Sequence, residues 1–257
     1  MTDPIDAYLD LARRLADVSG AIARRYFRTR VAVDDKADLS PVTIADREAE
    51  AAMRKLIAET FPAHGVIGVE HGSERPDATH VWVLDPIDGT KSFITGRPLF
   101  GALIALCREG RPILGVIDCP ALGERWIGAA GRPTLHQGEP ARTRECASLD
   151  RAALYCTSPL MFRGAAFERF ERVRKTVKLP LYGGDCFAYG LVASGFADLV
   201  IEGSLGVYDY AALVPVLEGA GGIMTDWQGR ALDLRSNGFV IAAGDRRAHA
   251  QALELLA

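Results

Sequence analysis

Apolar residues at Ile5, Tyr8, Leu9, Ala12, Leu15, Ala16, Ile22, Ala23 and Tyr26 recur at helical spacing. They predict an amphipathic first helix, with Arg13, Arg14, Arg24 and Arg25 on its solvated side. Val31 to Val33 reads as a short strand and Asp34 to Leu39 as a polar loop. Ser40 to Asp46 is expected to open a second helix that runs to about Thr60, before Phe61-Pro62. Thr43 is its N-cap, and Asp46 stands at the capping-box position three residues on. Strands are expected at Val66 to Val69 and at the apolar run Trp82 to Leu84. Gly101 to Cys107, Pro112 to Cys119 and Glu124 to Ala129 follow, with turns at Glu109-Gly110 and Ala121 to Gly123. Turns this close together predict an antiparallel meander. Residues 130 to 150 read as a loop joining two halves.

Beyond that loop the pattern changes to alternating strands and helices. Strands are expected at Ala153 to Cys156, Ala197 to Glu202, Ile223 to Thr225 and Phe239 to Ala242. Helices are expected at Ala165 to Val177, Cys186 to Ser194, Asp209 to Glu218 and His249 to Leu256, with a turn at Tyr182 to Asp185. Such alternation suggests a partly parallel sheet.

Composition narrows the picture mainly by exclusion. A net charge of −3 gives no reason to expect nucleic acid or an anionic membrane as partner. The five cysteines are scattered, odd in number and never in a C-x-x-C, so buried free thiols in a reducing cytosol explain them best. The first residues, Met-Thr-Asp-Pro-Ile-Asp, lack a basic region followed by an apolar one, unlike a signal peptide. No apolar run approaches the roughly 20 residues of a membrane span. A soluble cytoplasmic protein is expected. The glycines fit neither the dinucleotide-binding nor the P-loop pattern.

The candidate chemistry centres on Trp82-Val-Leu-Asp85-Pro86-Ile87-Asp88-Gly89-Thr90. Pro86 cannot donate to a ladder, so strand pairing should stop there. Two acids at a strand end, followed by a tight turn, converge oxygen ligands on one point. With no His or Cys beside them they suit a hard cation, Mg2+ before Zn2+. The N–H groups of Gly89 and Thr90 then lie where a phosphate can accept from them. An ordinary Asp-Pro turn explains D-P-x-D equally well. Taken alone, Asp46 reads as a helix cap and Asp209, at a helix start, as a charge that complements the helix dipole.

The full D-P-I-D-G-T run resembles the signature of the inositol monophosphatase family of Mg2+-dependent phosphomonoesterases. The resemblance extends from the T-x-x-D of Asp46 to Tyr208-Asp209 and Gly221-Gly222, where the family has W-D followed by G-G. It implies an α/β (α+β) fold, an αβαβα layered sandwich. An antiparallel sheet would lie in the N-terminal half, about 1–144, and a mixed, partly parallel sheet in the C-terminal half, about 145–257, of a single domain. Asp85, Asp88, Asp209, the Ile87 carbonyl and Glu70 would hold two or three Mg2+ ions. Asp46 and Thr90 would align the attacking water, and the Gly89 and Thr90 amides would bind phosphate. The family's G-E-E stretch is altered here: the usual ligand position is Val69, with Glu70 next. On a regular strand these two point to opposite faces, so either a bulge brings Glu70 in or one ligand is lost. His71 reads as a surface residue.

The stretches 88–100, 183–190 and Tyr208-Asp209 are most similar to the histidinol-phosphate phosphatase branch, with Asp185 particular to it and Glu202 facing the substrate. The resemblance implies a homodimer acting in histidine biosynthesis. Inositol phosphate and nucleotide 3′-phosphate remain alternative substrates. A non-catalytic homologue, favoured only by Val69, is the alternative of another class.

Overall fold

The computed structural model describes residues 4–30, 32–35 and 41–257. Val31 and the end of the expected 34–39 loop lie outside the described residues. In chain order the N-terminal elements are α1 (Pro4–Tyr26), β1 (Val33–Asp35), β2 (Pro41–Thr43), α2 (Ile44–Thr60), β3 (Gly65–Gly68), β4 (Gly72–Glu74) and β5 (His80–Asp88). Then come α3 (Thr90–Ile94), β6 (Gly101–Arg108), β7 (Arg111–Cys119), β8 (Glu124–Ala129), β9 (Leu135–His136) and β10 (Glu139–Pro140). The C-terminal elements are β11 (Ala153–Cys156), α4 (Ala165–Thr176), β12 (Leu179–Tyr182), α5 (Asp185–Ala193) and β13 (Leu199–Glu202). They close with α6 (Val207–Tyr210), α7 (Leu213–Gly219), β14 (Ile223–Asp226), β15 (Val240–Ala243) and α8 (Arg246–Leu256).

The larger sheet has the order β10-β9-β8-β7-β6-β5-β3-β4 and is antiparallel except where β3 runs parallel to β5. The smaller sheet has the order β12-β11-β13-β15-β14, with β11 parallel to both of its neighbours and the other pairs antiparallel. On the outside of the larger sheet, Leu11, Leu15, Met53 and Ile57 of α1 and α2 bury themselves against Trp82, Leu84, Ile104 and Val116. Its inner face, with Val83, Leu103 and Ile117, packs on Tyr189 and Val192 of α5 and Val216 and Leu217 of α7. The same helices meet Val200, Val240 and Ala242 of the smaller sheet. Phe170 of α4 and Ala252 of α8 cover that sheet's far side. Apolar strands covered on both faces need helices on both, and the result is the expected αβαβα layering.

Several local expectations change. The second helix opens at Ile44 with Thr43 as its expected N-cap, but Pro41–Thr43, read as part of the helix opening, pairs with Val33–Asp35 as a strand. The N-cap Thr43 is itself extended, at φ −122 and ψ 169. The expected strand at 66–69 ends at Gly68. The helix expected at 209–218 is two short ones, since Pro215 has no N–H to give the Ala211 carbonyl and its ring crowds that position. Pro86 does not end β5: pairing resumes at Asp88.

Candidate active site

The first two acids come from that continued strand. Asp85 lies opposite Leu103 and Asp88 opposite Gly101, so three steps on β5 span two on β6. This is a β-bulge, and Pro86 fits it because a bulge leaves one residue unpaired. Strict alternation would send Asp85 and Asp88 to opposite faces; the extra residue returns both to one side. Asp209 reaches them from α6, which packs on the end of β5. Each of the three contributes a carboxylate oxygen to a group lying within 4.8 Å of one another. Asp209 also caps its helix, accepting the Gly206 N–H at 2.7 Å.

Burial, and then the facing charges of Asp88 and Asp209, push the Asp85 carboxyl well above the usual carboxylate range. Burial, followed by Asp185 and Asp209, does the same to Asp88. Converging carboxylates in a low dielectric repel unless a cation sits among them. All donors are hard oxygens, so charge and chemistry both fit a divalent cation such as Mg2+. The Ile87 N–H closes the loop onto Asp85 at 3.1 Å, and the Ile87 carbonyl accepts the Thr90 hydroxyl at 3.1 Å. Gly89 takes φ +80 to start α3, and a Cβ there would stand 3.1 Å from the Asp185 side chain. Glycine is what this turn accepts.

Asp46 shows both of its sequence readings at once. The Thr43 N–H and hydroxyl both donate to its Oδ2, at 2.8 and 2.6 Å, completing the capping box. It is 2% exposed and lies just outside the cavity lining, close enough to act on Asp85. Burial raises its pKa, the two Thr43 hydrogen bonds oppose this, and the charge of Glu70 adds to it. Val69 and Glu70 sit in the turn after β3, and both line the cavity. Alternation therefore does not govern this pair. Glu70 is on the rim and does not belong to the trio of Asp85, Asp88 and Asp209. His71 is exposed, as expected.

The cavity, about 450 Å³, continues past the trio to Asp185, Tyr189, Glu202, Thr157, Met161 and Tyr208. Asp185 opens α5 at φ +45, a conformation that is uncommon outside glycine, and accepts the Ser92 hydroxyl at 2.8 Å. The next amide, Cys186 N–H, donates to Asp88 at 2.7 Å, tying the two halves at the site. Burial raises the pKa of Asp185, against Ser92, Arg97 and Lys91, which lower it. Glu202 is 5% exposed; it accepts the Thr157 N–H and the Tyr189 hydroxyl, both at 2.9 Å. Burial nevertheless pushes it up to about 7.

Ser92, Thr157 and Tyr189 were not legible as site residues. Tyr189 has mostly apolar neighbours at helical spacing, Thr157 contributes only backbone, and Ser92 lies far in sequence from the Asp185 that it meets. Glu50 was also missed, though Asp46, Glu50 and Arg54 fall four residues apart on one face of α2.

A layered α/β sandwich holding a carboxylate trio between its halves is the architecture of a metal-dependent phosphatase. The chain belongs to the inositol monophosphatase family, whose sequence profile matches residues 5–257. It is 52% identical to the bifunctional phosphatase IMPL2, chloroplastic, of Arabidopsis thaliana, over 98% of this chain and 75% of that protein. It is 38% identical to the histidinol-phosphatase of Mycobacterium tuberculosis, over 87% of this chain and 88% of that one. An inositol monophosphatase structure from Zymomonas mobilis superposes with a TM-score of 0.91 at 49% identity, covering 99% of each chain.

Proposed function

We propose that this phosphatase hydrolyses L-histidinol phosphate to L-histidinol and phosphate, with Mg2+ held by Asp85, Asp88, Asp209, the Ile87 carbonyl and Glu70. One observation carries the substrate reading: Asp185 and Glu202 present carboxylates to the cavity outside the Asp85, Asp88 and Asp209 trio. Histidinol phosphate has an ammonium and an imidazole beside its phosphoester, and a desolvated cation needs such partners. The identity to histidinol-phosphatases supports this reading. The 49% identity to an inositol monophosphatase favours inositol phosphate as the second reading on the same machinery.

When bound, the cation supplies Lewis acidity towards the phosphoryl oxygens and towards water. The chain's own groups do the rest. Asp46, fixed by Thr43, and the Thr90 hydroxyl orient the attacking water in line with the ester bond. The Gly89 and Thr90 amides face the phosphoryl oxygens where charge gathers. Asp185, aimed by Ser92, and Glu202, aimed by Tyr189 and Thr157, hold the amine end. No side chain has to attack phosphorus.

Phosphate release from histidinol phosphate, inositol 1-phosphate and a nucleotide 3′-phosphate, with Mg2+ and with chelator, tests the proposal. Histidinol phosphate should lead in kcat/KM by about tenfold or more, the scale of one charge-assisted bond. Chelation should remove the activity. An equal or greater kcat/KM for inositol 1-phosphate would pass the assignment to the second reading.

A further inference from the structure

Glu50 does not line the site cavity, yet the turn that carries Glu70 is built on it. Its side chain is fully buried, paired with Arg54 Nε at 2.7 Å through Oε1. Its Oε2 accepts the Glu70 N–H at 2.7 Å, and Oε1 also accepts the His71 N–H at 3.1 Å. The Arg54 guanidinium reaches over to the Gly72 carbonyl, and the His71 ring meets the Arg47 carbonyl at 3.1 Å. α2 therefore grips residues 70 to 72 one after another. From the other side, the Val69 N–H is held by the Leu84 carbonyl at 3.3 Å. Gly68 makes room for this: a Cβ there would stand 2.1 Å from Glu50 Oε1. The carboxylate lies directly on the backbone where β3 ends.

We infer that Glu50 is a positioning residue for Glu70, holding the turn after β3 so that Glu70, one place later than the family's usual ligand, faces the cation site. The inference rests on the proposal that Glu70 holds cation. A buried ion pair is a poor way to gain stability, because desolvating both charges consumes most of their attraction. Here it supplies geometry: two acceptor oxygens meet two consecutive peptide N–H groups. A glutamine of the same shape has one acceptor, and its amide N–H2 would face a peptide N–H. The turn must then move, and Glu70 with it. Outer partners of this kind usually change metal affinity by about 10- to 100-fold when altered.

The test is a double-mutant cycle read by calorimetric Mg2+ binding to substrate-free protein, with thermal unfolding in chelator as the fold control. Glu50→Gln should weaken Mg2+ binding about 10- to 100-fold while remaining folded. Glu70→Gln should weaken it too, and adding Glu50→Gln to Glu70→Gln should cost little more, because one acts through the other. If Glu50→Gln does not fold, Arg54→Met, which leaves the carboxylate in place and loosens its outer hold, should weaken binding in the same direction. Unchanged Mg2+ affinity in a folded Glu50→Gln or, in its place, Arg54→Met would overturn the inference, as would additive losses in the double variant. Unchanged affinity in Glu70→Gln would instead remove Glu70 from the cation site, and the positioning role with it. None of these outcomes bears on which phosphate ester is cleaved.

Discussion

At Glu202 the chain keeps a carboxyl group where burial opposes its charge. Burial pushes its pKa up to about 7, from an ordinary glutamate value of 4.5. In the substrate-free protein its ionisation therefore favours unfolding: the penalty is absent below the unfolded value and complete above pH 7. Glu202→Gln should be more stable than wild type at pH 8, on the order of 3 kcal/mol, and about equal at pH 4. Urea titrations at the two pH values check this; a Gln variant weaker at pH 8 would mean that the carboxylate is satisfied as a charge. The same titration should show in specificity. As pH rises through about 7, Glu202 gains the charge that attracts an ammonium, so kcat/KM for histidinol phosphate should rise relative to an uncharged aryl phosphate. In Glu202→Gln that step should vanish, leaving only the one from the substrate's own imidazole. Asp88→Asn tests the other set of acids: kcat should fall by at least ~100-fold, the scale of losing one strong electrostatic contact. Near wild-type turnover at saturating Mg2+ would take Asp88 out of the cation site.

At the scale of elements, α2 serves as both cap and scaffold. Thr43→Ala should cost about 1 kcal/mol of stability through the lost cap. It should also lower kcat by up to about 100-fold, because Asp46 loses its 2.6 Å hydroxyl partner. Thr43→Ser should keep both, and equal kcat in all three proteins would leave Asp46 as a cap alone. The strand–turn–helix around Asp85 and Asp88 was legible because apolar runs, Pro and Gly have strong local meaning. The bulge was not: Pro86 alone reads as a terminator, and only the ladder with β6 shows pairing resuming. Strands of two to four residues such as β4, β9, β10 and β12 carry no period to detect. The split at Pro215 was visible in the sequence but outweighed by apolar spacing around it. Glu50 stayed hidden because a Glu four residues before an Arg on a helix reads as an exposed pair. Its burial depends on Gly68 and the turn beyond, which are distant in sequence.

Across the whole molecule, the trio draws β5 of the larger sheet and α6 of the C-terminal half onto one point. No helix among the described residues is long and apolar enough to cross a membrane. A cation at that point should bind the folded chain and not the unfolded one. At about 100 times its dissociation constant Mg2+ should add about 2.7 kcal/mol of stability. Asp209→Asn should lose most of that gain, seen as a smaller rise in Tm between chelator and Mg2+. An undiminished rise would place the stabilising cation elsewhere. The halves also meet at Asp185, whose carboxylate accepts the Ser92 hydroxyl and lines the cavity beside the trio. The most direct test pairs two substrates in one variant: kcat/KM of Asp185→Asn for histidinol phosphate and for an uncharged aryl phosphate, both with Mg2+. Histidinol phosphate should lose about 10- to 150-fold, the value of a charge-assisted bond to a desolvated ammonium, while the aryl phosphate is nearly untouched. An equal fall for both would place Asp185 in the metal machinery or the fold, and no fall for either would contradict histidinol phosphate as the substrate.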